Sequence, residues 1–296
     1  MPAKSSKSVA RDVGRRSAAQ RSVSAARGTR SVSRGMSVVL PVGLVVALVA
    51  VLVVVKSVAG SPKPKSGAAA SAASASVSAR VSSVPVSVLD QIGLGTVSSP
   101  PKALAGSPLT VQGKPRVLYV GAEWCPYCAA ERWGLAVALS RFGTLSGLSQ
   151  VRSSPTDVYP NTATLSFHGS SYSSQYLSLT AKEIFSNQAL GNSYAPLDSL
   201  TSSDQSLFES VGKGSFPFID IGGRYLISGA SYDPGMLQGM TQAQIAAALS
   251  NTSSPIAKSI DGTANLITAA VCKVATNTPE TVCSSPGVSA AAAALP

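Results

Sequence analysis

The chain has 296 residues, with 24 Lys and Arg against 13 Asp and Glu and a formal net charge of +11. Nine of those bases fall in residues 1–35 with Asp12 as the only acid there, so this tail holds most of the excess and the remainder is mildly basic. No aromatic residue is interleaved with the bases, which argues against a nucleic-acid partner and for a topology signal ahead of a membrane segment.

Residues 1–35 have no apolar periodicity and read as a disordered basic cytoplasmic tail, because they offer too little apolar surface to offset ordering entropy. From Met36 to Val55 run 20 uncharged residues rich in Val, Leu and Ala, about the length with which a helix crosses ~30 Å of hydrocarbon. The Lys and Arg before this run predict a single transmembrane helix with the N-terminus cytoplasmic and everything after Lys56 extracytoplasmic. Ser57-Val58-Ala59 resembles a cleavage site, but the apolar run is longer than a signal core, which favours an uncleaved anchor in the cell membrane. Residues 56–86 are an Ala/Ser/Pro-rich linker, residues 87–283 have the composition of one globular domain, and residues 284–296 read as a disordered tail.

Within the domain, Pro115 to Gly121 reads as a short buried strand, with Val117, Leu118, Tyr119 and Val120 bounded by Pro and Gly. Pro126 to about Phe142 reads as a helix stopped by Gly143. Residues 146–186 alternate apolar side chains with Ser and Thr, a β-like pattern with turns at Pro155, Pro160 and Gly169. A helix is expected from about Ser203 to Val211, then a hairpin of Phe216–Asp220 and Arg224–Ser228 around Gly222-Gly223. Thr241 and Gln244 form a capping-box signature for a helix through Leu249. Ser254-Pro255 opens a helical stretch reaching Cys272, with a break expected at Asp261-Gly262.

The four cysteines, Cys125, Cys128, Cys272 and Cys283, all lie in the part assigned to an oxidising compartment. Two local pairs fit one redox-active pair and one structural disulfide, Cys272 with Cys283. Zinc is the alternative for four thiols, but ten residues separate the second pair and the only histidine, His168, is remote in sequence, so neither metal nor cofactor is expected. Cys125 and Cys128 sit two residues apart where a strand gives way to a helix. At a helix start, unpaired amides and the helix dipole stabilise a thiolate. Cys125 is therefore expected to be exposed and acidified, with Cys128 one turn deeper as the resolving thiol. Trp124 and Tyr127 flank the sulfurs as candidate substrate contacts. Glu123 reads as a solvated side chain, Arg132 as a weak and distant electrostatic influence, and His168 as a strand-surface residue.

Ala122-Glu123-Trp124-Cys125 resembles the approach to a thioredoxin active site, and Cys125-Pro126-Tyr127-Cys128 matches the glutaredoxin tetrapeptide. The longer run Tyr119–Trp133, with Asp157-Val158-Tyr159-Pro160-Asn161-Thr162 and Phe216-Pro217-Phe218-Ile219-Asp220, is similar to a prokaryotic membrane-anchored family catalogued as domain of unknown function 929, over about residues 100 to 275. The resemblance implies an α/β, thioredoxin-like fold, here with a β/loop insertion between the dithiol helix and the cis-Pro strand. It also implies that Pro217 is a cis-proline beside the dithiol and that Phe216 presents its backbone to substrate.

The expected function is a membrane-anchored, extracytoplasmic thiol-disulfide oxidoreductase acting on protein thiols and disulfides, with no redox partner assigned by the sequence. The alternative is a binding or assembly module of the same fold whose cysteines form a fixed disulfide and whose segment Val151–Phe185 is the docking surface.

Overall fold

The computed structural model describes residues 76–296; the basic tail, the apolar run 36–55 and most of the linker lie outside the described residues. Among the described residues no helix is long and apolar enough to cross a membrane. A helical turn over residues 76–82 leads to α1 (Val86–Ile92), β1 (Lys102–Ala103), β2 (Thr110–Val111), β3 (Lys114–Gly121) and α2 (Pro126–Ser140). Then come β4 (Thr144–Ser146), β5 (Ser149–Arg152), β6 (Ala163–Ser166), β7 (Ser171–Ser173), β8 (Ser178–Glu183), β9 (Phe185–Leu190) and β10 (Ser193–Pro196). The chain ends with α3 (Ser202–Ser210), β11 (Phe218–Ile221), β12 (Tyr225–Ser228), α4 (Gln242–Ala248), α5 (Pro255–Val274), α6 (Glu280–Cys283) and α7 (Pro286–Ala292).

The fold is mixed α/β around one mixed sheet. Its path runs β1-β12-β11-β3-β2, and β8 also pairs with β3. Only β3 and β8 run parallel, in register from Arg116 with Ser178 to Gly121 with Glu183; α2 and the smaller strands form the connection between them. β3 is covered on both faces, which is why it reads as a continuous apolar run and not as an alternation. Val117 and Tyr119 enter the main core with Trp133 of α2 and Ile260, Ala264 and Ile267 of α5. Leu118 and Val120 enter a smaller cluster with Phe208, Phe218 and Leu226.

Helix α5 is unbroken, where a break at Asp261-Gly262 is expected from the sequence. Gly262 is there for closeness: a Cβ at this position would collide with the Leu94 carbonyl. Gly134 plays the same part on the α2 side, where a Cβ would stand 2.6 Å from Cγ2 of Thr263. Gly134 thus lets α2 and α5 pack at short range, and Gly262 admits the backbone that follows α1.

Two further expectations are corrected at the domain's ends. The linker assigned to 56–86 is already helical over residues 76–82, with Val77 and Val81 buried. The tail assigned as disordered over 284–296 contains α7, whose Val288 and Ala291 are buried and whose Gly287 amide donates to Asp90 at 3.0 Å. In both segments a few Val and Ala at helical spacing make a stripe that burial on a neighbour stabilises. Asn265 of α5 closes the end of α1, donating to the carbonyls of Leu89 at 2.7 Å and Gly93 at 2.8 Å. Cys272 and Cys283 are joined as a disulfide that ties α5 to α6, within the main core.

Candidate functional site

β3 ends at Gly121, and a four-residue turn delivers Cys125 as the N-cap of α2 with Pro126 in the first helical position. Proline suits that position because its missing N–H would be unpaired there anyway. The Cys128 amide donates to Sγ of Cys125 at 3.3 Å. Both cysteines are free thiols. The hydrogen bond from the Cys128 thiol holds the Cys125 thiol below its usual range, outweighing burial; burial pushes the Cys128 thiol well up. The order of acidity thus places the anion on Cys125 first.

Cys125 departs from expectation in one respect: it is only 3% exposed. Trp124, Phe185 and Phe216 pack against the cluster of Ala122, Cys125 and Cys128 and cover it. Trp124 is half-buried, stacked on Tyr194 with ring centroids 5.0 Å apart, and meets Phe216 edge-on at 6.0 Å. Tyr127 is exposed and meets Tyr159 edge-on. Phe216–Pro217 is a cis peptide immediately before β11. The structure therefore brings Cys125, Cys128, Trp124 and Phe216 together, with Pro217 next to Phe216 and Tyr127 on the rim. It adds Phe185, which the sequence offered only as part of an alternating β-like segment, Tyr159, which stood in the family motif without a role, and Tyr194, which the sequence did not single out.

Behind the sulfurs lies a charged cluster that sequence reasoning missed. Arg132 and Glu183 are both fully buried and paired at 2.7 Å. Arg132 Nε also donates to the Tyr119 hydroxyl at 2.9 Å, and Nη2 to the Ala122 carbonyl at 2.7 Å. Burial, chiefly, pushes the Tyr119 hydroxyl well above its ordinary range. Arg132 is no remote influence: it lies one turn after Cys128 on the same helical face. Glu183 carries no local signal, because its burial follows from the pairing of β8 with β3, some sixty residues apart in sequence. Glu123 is likewise corrected from a solvated side chain to one 8% exposed, accepting the Ser166 hydroxyl at 2.6 Å. His168 is exposed and pairs with Asp198 at 2.8 Å.

Another surface of α2 carries Glu131, fully buried, which accepts the Ser231 amide at 2.8 Å and hydroxyl at 2.9 Å. Burial, opposed by those hydrogen bonds, moves its carboxyl up to about 7. Asp261 of α5 is also fully buried, neither of its oxygens has a hydrogen-bond partner among the described residues, and burial moves it up to about 8.

No curated protein and no solved structure matches this sequence significantly. Residues 102–273, which hold the dithiol, the cis-proline and the whole central sheet, match the family model described as Domain of unknown function (DUF929), and the chain belongs to that family.

Proposed function

We propose that this protein is a thiol-disulfide oxidoreductase of thioredoxin-like fold, held at the outer side of a membrane by the apolar run Met36–Val55. One observation carries the reading: Phe216, the residue before the cis-proline Pro217, packs against the cluster that contains both free thiols. Support for the fold comes from a dithiol that directly follows β3, a parallel β3–β8 pair, and an antiparallel β11–β12 hairpin that follows the cis-proline. Support for the location comes from the Lys and Arg crowded before the apolar run.

In the reductive direction, the Cys125 thiolate attacks one sulfur of a substrate disulfide, and the other sulfur leaves as a thiolate with the bond's electron pair. Cys128 then loses its proton and attacks Sγ of Cys125, releasing the second substrate thiolate. The protein ends as a Cys125–Cys128 disulfide and the substrate has gained two electrons; protons from Cys128 and solvent reprotonate it. Oxidation of substrate dithiols is the same sequence reversed. Half-buried Trp124 and Phe216 and exposed Tyr127 would contact the chain around the substrate cysteine.

The test is a trapping comparison read on non-reducing gels. Cys128→Ser is expected to accumulate mixed disulfides with substrate proteins through Cys125, and Cys125→Ser to accumulate none. The alternative of a binding module with a fixed disulfide is changed in one respect, since both cysteines are free thiols; a module whose thiols do not exchange is favoured by the 3% exposure of Cys125. Absence of adducts with either variant would decide for it.

A further inference from the structure

A fully buried ion pair is uncommon, because each charge loses its hydration and the attraction between them recovers it only with good geometry. The pair behind the dithiol is satisfied on one side only. Both oxygens of Glu183 are taken by Arg132, Oε1 by Nε at 2.7 Å and Oε2 by Nη2 at 2.7 Å. The guanidinium has one nitrogen left over: Nη1, with two N–H groups, is buried and has no hydrogen-bond partner among the described residues. The Ala122 carbonyl that accepts Nη2 also accepts the Cys125 amide at 3.1 Å. Ala122 packs in one cluster with both sulfurs. A cation with spare N–H groups thus stands one carbonyl away from the dithiol, in a place closed to water.

We propose that Arg132, held by Glu183 and Tyr119, is a positioning residue whose positive charge stabilises the anion that Cys128 must become to release a mixed disulfide. The inference rests on the redox reading of the dithiol. Once substrate is bonded to Cys125, the resolving step needs Cys128 to lose its proton, attack Sγ of Cys125 and expel the substrate sulfur with the electron pair of the broken S–S bond. Cys128 is 0% exposed, so no solvent steadies that charge. Burial and, after it, the neighbouring Cys125 raise the Cys128 thiol; Arg132 opposes the rise, and Glu183 adds to it. The two halves of the ion pair hold each other in place, yet they act on this sulfur with opposite signs.

The experiment uses the full chain. In a Cys125→Ser background, the Cys128 thiolate is titrated by its ultraviolet absorbance with Glu183→Gln, Arg132→Met or Arg132→Lys added. In the intact dithiol, the same three variants are mixed with oxidised glutathione at neutral pH, and release of the second glutathione from the Cys125 mixed disulfide is followed in time. Glu183→Gln is expected to lower the titration midpoint by about one unit and to speed release of the second glutathione by on the order of tenfold. Arg132→Met is expected to move both readouts the other way by a similar factor, and Arg132→Lys to restore most of the shift. The double variant Arg132→Met/Glu183→Gln buries no lone charge, guards against misfolding and is expected between the two single variants. Shifts of the same sign in both single variants, or no shift in a natively folded Glu183→Gln, would overturn the proposal. A wild-type dithiol that never reacts with oxidised glutathione, while the titrations still move in opposite directions, would overturn the redox reading and support the electrostatic role of Arg132.

Discussion

Arg132 and Glu131 are consecutive residues of α2, both fully buried, in surroundings that treat charge differently. Arg132 finds a carboxylate, a tyrosine hydroxyl and a main-chain carbonyl, and stays charged. Glu131 finds only the amide and hydroxyl of Ser231, and burial moves it up to about 7. Asp261, on the helix that packs against α2, finds no hydrogen-bond partner among the described residues and moves up to about 8. Burial also pushes Tyr232, whose hydroxyl donates to Ala130 of α2, well up, with the charges of Glu131 and Asp261 adding to the shift. A buried ion is kept where a partner of opposite sign is locked beside it; elsewhere the proton stays on the acid through the middle of the pH range. The side next to the sulfurs therefore holds a charge that hardly depends on pH, and the seam between α2 and α5 holds acids whose charge does.

The largest effect that separates the two regions is expected from Arg132→Met alone. It leaves Glu183 as a lone buried charge and should cost roughly 3–5 kcal/mol of stability, most of which the double variant with Glu183→Gln should recover. Urea denaturation midpoints of the three proteins check this; a double variant as unstable as the single one would show that the charges are not what couples the residues.

Asp261→Asn should work in the opposite direction, with a gain that grows as pH rises above about 4. In the folded chain this carboxyl is raised from 3.8 to about 8. Below about pH 4 both folded and unfolded forms are protonated, so nothing is lost. As pH rises from about 4 to 8, the unfolded chain releases a proton that the folded chain keeps, and stability falls through that window. Asn carries no charge at any pH, so the variant should match the wild type near pH 4 and exceed it above pH 8, by on the order of 3 kcal/mol once water penetration is allowed for. Paired unfolding curves at the two ends of the range measure it, and a gain independent of pH would refute the assignment.

The smallest effect belongs to the spacing that brings the acids to the seam. Gly134→Ala would press a Cβ to 2.6 Å from Thr263 Cγ2. The overpacking should cost about 1–3 kcal/mol, partly offset by roughly 1 kcal/mol of helix propensity. A thermal midpoint equal to or above that of the wild type would mean that the two helices can part without loss.

The parts of this fold set by local chemistry could be read directly from the sequence. The strand before the dithiol, the helix after it, the β11–β12 hairpin and the Thr241–Gln244 capping box each depend on residues close in sequence. Arg132, Glu123 and Glu183 could not be read correctly, because a charged side chain gives no sign of burial until strands distant in sequence pair around it. The helices at both ends of the domain were hidden in another way. Their Ala, Ser and Val composition matches that of a linker, and only the neighbours that bury Val77, Val81, Val288 and Ala291 turn it into a helical face. Gly262 reads as a helix breaker in isolation, and its purpose depends on the Leu94 carbonyl lying against it.

The aromatic packing at the dithiol has an optical consequence. The chain has two tryptophans. Trp133 is fully buried in the main core with its indole N–H on the Ala163 carbonyl, at 3.2 Å. Trp124 is half-buried, adjoins Cys125 in the chain and is stacked on Tyr194. Intrinsic fluorescence therefore divides into a steady emitter inside the core and one within quenching range of the reacting sulfur. The protein carries its own reporter dye at the site of its proposed chemistry, and thiol exchange there can be followed in real time without attaching a label.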